Sequence, residues 1–383
     1  FNDFVQVVRL RAGIQRAVTA AGAAGLTFER LGAAVFAALK LPFVEYGNKN
    51  EEPELPNIKC GYDELFQNFL LYRALGDLRR SWRIVLPNLE QCALLEVSYS
   101  DLPEVAGTKK YWDEVPILGE LDIEDRQLFL TAILDFFRLE YALHSENYLT
   151  QGKLREHEKL FREKLRAPWT LDPTESLREP YYMRLETLHR SAKVGSKSMG
   201  PASGLGKFIK LFVKQREIDV DLRGDHYGHF IKLLMKKLEG ADYLASQGAK
   251  GEKNDNITLY RLRIEKLVWR PGDLKTVKAD LIKRRSYKQQ APKPNLFFQD
   301  LYRRDFAAAK RLRAEDHTGQ LNVDQRRDRE DRFRADWYLD ADKKVPDLVR
   351  IRNEAISALY CSPTMELGID IGGLSVVHLR NAP

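Results

Sequence analysis

Near its carboxyl end the chain runs Tyr360-Cys361-Ser362-Pro363-Thr364-Met365-Glu366-Leu367-Gly368-Ile369-Asp370-Ile371. Apolar residues lead into a turn that carries two hydroxyls, then a Gly and an Asp, then a second apolar run. The hydroxyls and free backbone N–H groups of such a turn can hold a phosphate. Gly368 leaves room for a ligand to approach the backbone, and the Asp370 carboxylate can accept a hydrogen bond from a ribose hydroxyl. On spacing alone, the run suits an ordinary strand–turn–strand in a buried sheet equally well. Upstream stands His317-Thr318-Gly319-Gln320-Leu321, followed by Arg326, Glu330 and Phe333, with Thr364 47 positions after His317.

Together these two segments resemble motif V and the H-x-G-x-L-x-x-x-x-R element that precedes it in superfamily 2 helicases, in the branch of Lhr-like and large bacterial DEAD/DEAH-type enzymes. Phe1-Asn2-Asp3-Phe4-Val5 resembles the helix that follows the motif IV strand of those large relatives. Asp77-Leu78-Arg79-Arg80-Ser81-Trp82-Arg83, Pro87-Asn88-Leu89-Glu90-Gln91 and Pro168-Trp169 are similar to them too, without a role attached. The resemblance implies that Thr364 and Ser362 contact a nucleic-acid phosphate, and that Gly319 and Arg326 lie near the strand-binding face. It implies that Gly368 and Asp370 approach a nucleotide in the cleft between two RecA-like domains. His317 suits a turn-fixing role equally well. ATP and Mg2+ are the implied cofactors, bound mainly by a first RecA-like domain outside this chain, and DNA rather than RNA is the implied partner.

Other parts of the helicase pattern are not met. Gly200-Pro201-Ala202-Ser203-Gly204-Leu205-Gly206-Lys207-Phe208 imitates a phosphate loop, but Phe208 stands where Ser or Thr must ligate magnesium. Asp113-Glu114-Val115-Pro116 lacks the apolar strand that leads into an acidic box. The Gln-Arg-x-Gly-Arg segment, source of an arginine finger, is expected shortly beyond Pro383. The chain alone is therefore expected to hydrolyse no ATP and to carry no catalytic residue of its own. Cys60, Cys92 and Cys361 are far apart with no C-x-x-C, and His226 and His229 have no acidic or Cys partner nearby, so a disulfide framework or zinc site is not expected. Trp112, Trp269, Tyr181 and Tyr182 have the chemistry to stack bases, and equally that of core residues.

The formal net charge is +7, and residues 250–293 hold 13 Lys/Arg against 5 Asp/Glu. A concentrated surplus that includes Lys283, Arg284 and Arg285 suits contact with phosphate; a solvated basic loop is the other reading. The stretch motivates the rival to the helicase reading, a non-catalytic DNA-binding or protein-docking module. Partner proteins would then meet the chain through its central insertion.

The elements that must position these groups follow from apolar spacing. Residues 1–22 form a helix. A second follows Thr27, with Phe28, Leu31, Val35 and Leu39 inward and an exposed acidic loop from Asn48 to Pro56 beyond it. Tyr62–Arg80 is helical again. Residues 121–166 read as two long helices, the first with the stripe Leu128, Ile133, Phe136 and Phe137, the second charged and solvent-facing. Residues 192–206 read as a small, polar linker. Helices over Lys207–Gln215 and Tyr227–Leu238, then strands over Ala241–Ser246 and Ile257–Arg263, follow the order of a winged helix. Lys236, Lys237, Lys250, Lys253, Arg261 and Arg263 would lie around its groove-facing side. Asn295–Arg313 is helical, and a charged helix within 317–334 followed by short apolar strands suggests a parallel sheet.

The expected fold is α/β plus mainly α. A RecA-like parallel sheet is split by a large, mostly helical insertion that contains a candidate winged helix. Its divisions are 1–40 as the start of the second RecA-like domain, 41–191 as helical insertion, 192–293 as the winged-helix and basic module, and 294–383 as the body with motif V. At 383 residues, with 44% hydrophobic, 31% charged and 10% aromatic side chains, the chain is no disordered tail. Its Gly (24) and Pro (16) contents exclude a collagen-like chain. No apolar run reaches bilayer length, no signal peptide is read at Phe1, and cysteine usage suits a reducing, cytoplasmic setting. The opening at Phe1 and the close at Pro383 read as the ends of a piece of a longer protein.

Overall fold

The computed structural model describes residues 2–79, 86–188, 194–249, 257–282, 293–304, 314–317, 321–334, 351, 354–356 and 358–361. The chain divides into a larger compact unit, Gln6–Ala307, and a smaller one made of Phe1–Val5 and Ala308–Pro383. Residues on both sides of the boundaries expected near 41 and 192 thus fall in one unit.

Helix α1 (Asn2–Ala21) leads through β1 (Leu26–Thr27) into α2 (Phe28–Leu39). The connection turns at Gly25, whose φ of 73° is left-handed; a Cβ there would stand 2.7 Å from the Trp269 carbonyl oxygen. Phe28, Leu31, Val35 and Leu39 are buried along α2, as their helical spacing requires. After the short α3 (Phe43–Tyr46), α4 spans Pro56–Asp77. It begins six residues before the expected Tyr62, because Pro56 starts the helix at a position where its missing N–H costs nothing. Strand β2 (Leu95–Tyr99) and the short helices α5 (Leu102–Gly107) and α6 (Lys109–Trp112) precede α7 (Ile123–Leu139). Asp122 caps α7 by accepting from the Asp125 N–H at 2.8 Å. Phe129, Leu130, Ile133, Phe136 and Phe137 are buried on α7, whereas Leu128, expected in the apolar stripe, is 42% exposed. One residue is about 100° of helix, and the better-filled face is the one through Phe129.

Strand β3 (Leu143–His144) is followed by α8 (Gln151–Lys164), β4 (Tyr182–Arg184) and β5 (Ser196–Ser198). Helix α8 is as charged as expected and carries the ion pairs Lys153–Glu156, Lys159–Glu163 and Arg162–Glu158. The segment read as a linker is built into the fold instead. β5 pairs in parallel with β4, Met199 is fully buried, and its carbonyl accepts from the Tyr227 hydroxyl at 2.7 Å. A small, polar composition conceals the buried apolar side chains, Met199 and Leu205, that anchor it. Helices α9 (Gly204–Gln215) and α10 (Asp225–Gly240) then lead to β6 (Leu244–Gly248), β7 (Thr258–Arg263) and β8 (Leu267–Pro271), with α11 at Leu296–Arg303.

Two sheets organise the larger unit. β8 lies between β1 and β2, antiparallel to both. β7 pairs antiparallel with β6 from Thr258 to Leu262, and on its other edge runs parallel to β3 and antiparallel to β4. One hydrophobic cluster runs from Val8 to Tyr302 through both sheets and their helices. The smaller unit contains β9 (Ala314–His317), α12 (Val323–Phe333) and β10 (Ala358–Cys361), with β10 parallel to β9. The fold is thus mixed α/β with open sheets. No helix among the described residues is long and apolar enough to cross a membrane.

Candidate nucleic-acid interface

In the smaller unit His317 and Cys361 sit at matched ends of two neighbouring strands. Cys361, which immediately precedes Ser362, is the register partner of His317, which opens the upstream motif. The two parallel strands therefore end side by side, their carboxyl ends on the same edge of the sheet. That edge is where ligands bind in open parallel sheets.

Between the strands in sequence runs α12, opened by a capping box in which Asn322 and Gln325 satisfy each other's backbone N–H groups. Its arginines grip the acidic residues of β9. Arg332 donates to both carboxylate oxygens of Glu315 at 2.6 and 2.8 Å, and this hydrogen bonding raises its pKa further. Arg329 bridges Glu315 at 3.0 Å and Asp316 at 2.9 Å. Arg326, one turn earlier, is half-buried, and its Nε finds no partner among the described residues. His317 is fully buried. Its Nε2 lies 3.2 Å from Glu330 Oε1 but is not aligned for a hydrogen bond, and its Nδ1 has no partner among the described residues. Arg326 is thus an expected site residue whose buried Nε is unsatisfied among the described residues. Gly319, Ser362, Thr364, Gly368, Asp370, Lys283, Arg284 and Arg285 lie outside the described residues, as do Lys250 and Lys253.

In the larger unit, α7, α9 and α10 pack through their aromatic side chains. The Phe129 ring meets Phe208 at 5.8 Å, Phe212 at 5.0 Å and Phe230 at 6.5 Å. Arg216 donates to Asp125 Oδ1, and that bond holds the Asp125 carboxyl below its ordinary pKa. Ser203 caps α9, accepting from the Gly206 N–H at 3.1 Å. With Phe208, Ile209, Phe212 and Val213 turned inward, Lys207, Lys210 and Lys214 stand exposed on the opposite face of α9. None of the three pairs with a carboxylate among the described residues. An open cleft of about 830 Å³ beside Lys210 and Arg223 separates the end of α9 from the start of α10.

The cations expected around the hairpin have divided roles. Lys236 is exposed on α10, together with His226 and His229. Lys237 pairs with Glu114 at 2.9 Å and lies over the Tyr111 ring, and its hydrogen bond lowers the Glu114 pKa. Arg263 pairs with Asp242 at 3.1 Å. Arg261 is 6% exposed, donates to the carbonyls of Pro180 and Tyr181, and covers the Tyr182 ring at 3.4 Å. It is a buried strut, because alternation along β7 turns it toward the loop before β4. Trp112 and Trp269 are fully buried and can stack no base. The lysines of α9 had a legible signal, three cations at i, i+3 and i+7 opposite an apolar stripe.

Among the described residues no group of three or more His, Cys, Asp or Glu side chains is arranged to hold a metal ion. Comparison with protein families, curated proteins and solved structures finds no match to this chain.

Proposed function

We propose that the chain is part of an ATP-dependent nucleic-acid helicase or translocase, holding a second RecA-like domain split by an insertion. The observation that carries this reading is the register of His317 with Cys361 at the carboxyl ends of parallel β9 and β10. It makes two motifs separated by dozens of residues begin on one sheet edge, as a strand-and-nucleotide lip requires. The grouping of Phe1–Val5 with Ala308–Pro383 in one compact unit supports the split. ATP, with Mg2+ and held mainly by a first RecA-like domain, would supply the free energy for stepping. The residues here would grip the strand: Thr364 and Ser362 by hydroxyl contact with phosphate, Gly319 by close approach, and Arg326 by its guanidinium charge. Gly368 and Asp370 would line the nucleotide side. In the enzyme that contains both RecA-like domains, Asp370→Ala is expected to reduce ATP turnover at least tenfold with the fold intact. Wild-type turnover in that variant removes the motif V assignment.

A second reading, DNA binding by the insertion itself, is favoured by the unpaired lysines of α9. The order α7, β3, α9, α10, β6, β7, with three helices packed on one aromatic cluster and a hairpin behind them, supports a winged helix carrying a long excursion between β3 and α9. The two readings are compatible, with the insertion gripping the polynucleotide that the motor moves.

A further inference from the structure

Just past α4, Arg79 lays its guanidinium over the ring of Tyr141, 5.5 Å from the centroid. Ahead of β4, Arg178 does the same over Tyr181 at 5.4 Å, and donates from Nη2 to that residue's hydroxyl at 3.0 Å. The two platforms are tied together, since the Tyr181 N–H donates to the Tyr141 carbonyl at 3.0 Å. Both arginines act on the same phenol. Burial pushes the Tyr141 hydroxyl up to about 12 while the Arg79 and Arg178 cations each pull against it. They also act on each other: burial and the Arg178 charge together lower the pKa of Arg79.

Elsewhere in this unit several buried or half-buried arginines are matched by carboxylates. Arg11 binds Asp77, Arg73 binds Glu175, and Arg138 binds Glu90 and Asp135. The nearby Lys197, 4.8 Å from the Tyr181 ring, is held by Glu140. Among the described residues neither Arg79 nor Arg178 pairs with a carboxylate. The two rings belong to residues joined by that backbone hydrogen bond, so without an anion the two guanidinium charges repel each other, and the half-buried Arg79 loses hydration that no carboxylate among the described residues replaces. An oxyanion between them would relieve both costs, and guanidinium forks match phosphate oxygens in pairs.

We propose that Arg79 and Arg178 form a phosphate-binding site whose ligand is a backbone phosphate of single-stranded nucleic acid. Arg178 is exposed and Arg79 half-exposed, so the site is an open shelf and suits a phosphodiester passing across it better than an enclosed nucleotide. The choice of a strand as the source rests on the nucleic-acid reading above; oxyanion binding by the pair stands independently of it.

The test titrates the 383-residue chain with a labelled oligothymidylate over a salt series, and separately with pyrophosphate while following arginine Nε–H signals by NMR. R79Q and R178Q should each weaken strand binding several-fold. The double variant should flatten the plot of log affinity against log salt by about 0.7, the contribution of the one single-strand phosphate no longer neutralised. R79K keeps the charge, so it should keep the slope while losing affinity, and it separates loss of the fork from loss of the fold. If the wild type binds the strand and the double variant keeps its slope, the inference is overturned while the nucleic-acid reading survives. If no strand binds but pyrophosphate shifts the Arg79 and Arg178 signals, the anion site is upheld with a free phosphate as its source, and the nucleic-acid reading fails. If neither probe binds, both fail.

Discussion

Among single side chains, the arginines of the larger unit divide by what they bind. Arg126 is 2% exposed and spends its fork on the carbonyls of Leu118, Ala106 and Leu121, closing the turns before α7. Arg138, equally buried, binds Glu90 twice and Asp135. Burial alone would raise the Asp135 carboxyl, but the Arg138 and Lys278 cations and the Tyr99 hydroxyl outweigh it and leave its pKa below the ordinary value. A carboxylate depressed on folding contributes stability above its unfolded pKa, near 4, and loses that contribution as pH falls through the folded value. Asp135→Asn should therefore cost about 3 kcal/mol at neutral pH, measured by urea unfolding. The stability of the variant should also fall less steeply than that of the wild type below about pH 4. An equally steep acid limb in the variant would place the titrating group elsewhere.

At the scale of elements, α9 presents a buried aromatic stripe on one side and unpaired lysines on the other. Reversing Lys207, Lys210 and Lys214 to Glu touches nothing in the core, so thermal stability should change little. If the face meets duplex phosphates, the salt dependence of binding should flatten by about 0.9 for each phosphate that a lysine no longer neutralises. An unchanged slope in an electrophoretic or anisotropy titration would take α9 out of the interface. Helix α12 is organised differently. Its Arg329 and Arg332 are consumed by the acidic residues of β9.

For the whole molecule, one cluster of buried side chains joins residues from α1 to α11, so the larger unit should unfold as a single cooperative body. Phe129, at the meeting of α7, α9 and α10, is the sharpest probe. Phe129→Ala should cost about 3–5 kcal/mol and move the fluorescence of buried Trp112, Trp169 and Trp269 to one lower midpoint. Two separated transitions would mean that the unit divides after all, near the boundary at 192.

Much of this was legible in local spacing. The inward faces of α2 and α9, the charged α8, the hairpin of β6 with β7 and the charged α12 all follow from periodicity and charge, because each depends on residues within a few turns of one another. The pairing of β8 with β1 and β2 joins segments far apart in sequence, and no local pattern announces it. The polar stretch before α9 concealed a core residue in Met199. Arg261 carried the same charge as its neighbours but faced inward. The amino-acid order by itself determined which stretches coil and which face of each is apolar, since these depend on side-chain spacing along one element. Only the tertiary structure decided which cations remain unpaired. Arg79 and Arg178 stand 99 positions apart, and it is the packing of Tyr141 against Tyr181 that brings their platforms together with no carboxylate paired to either among the described residues.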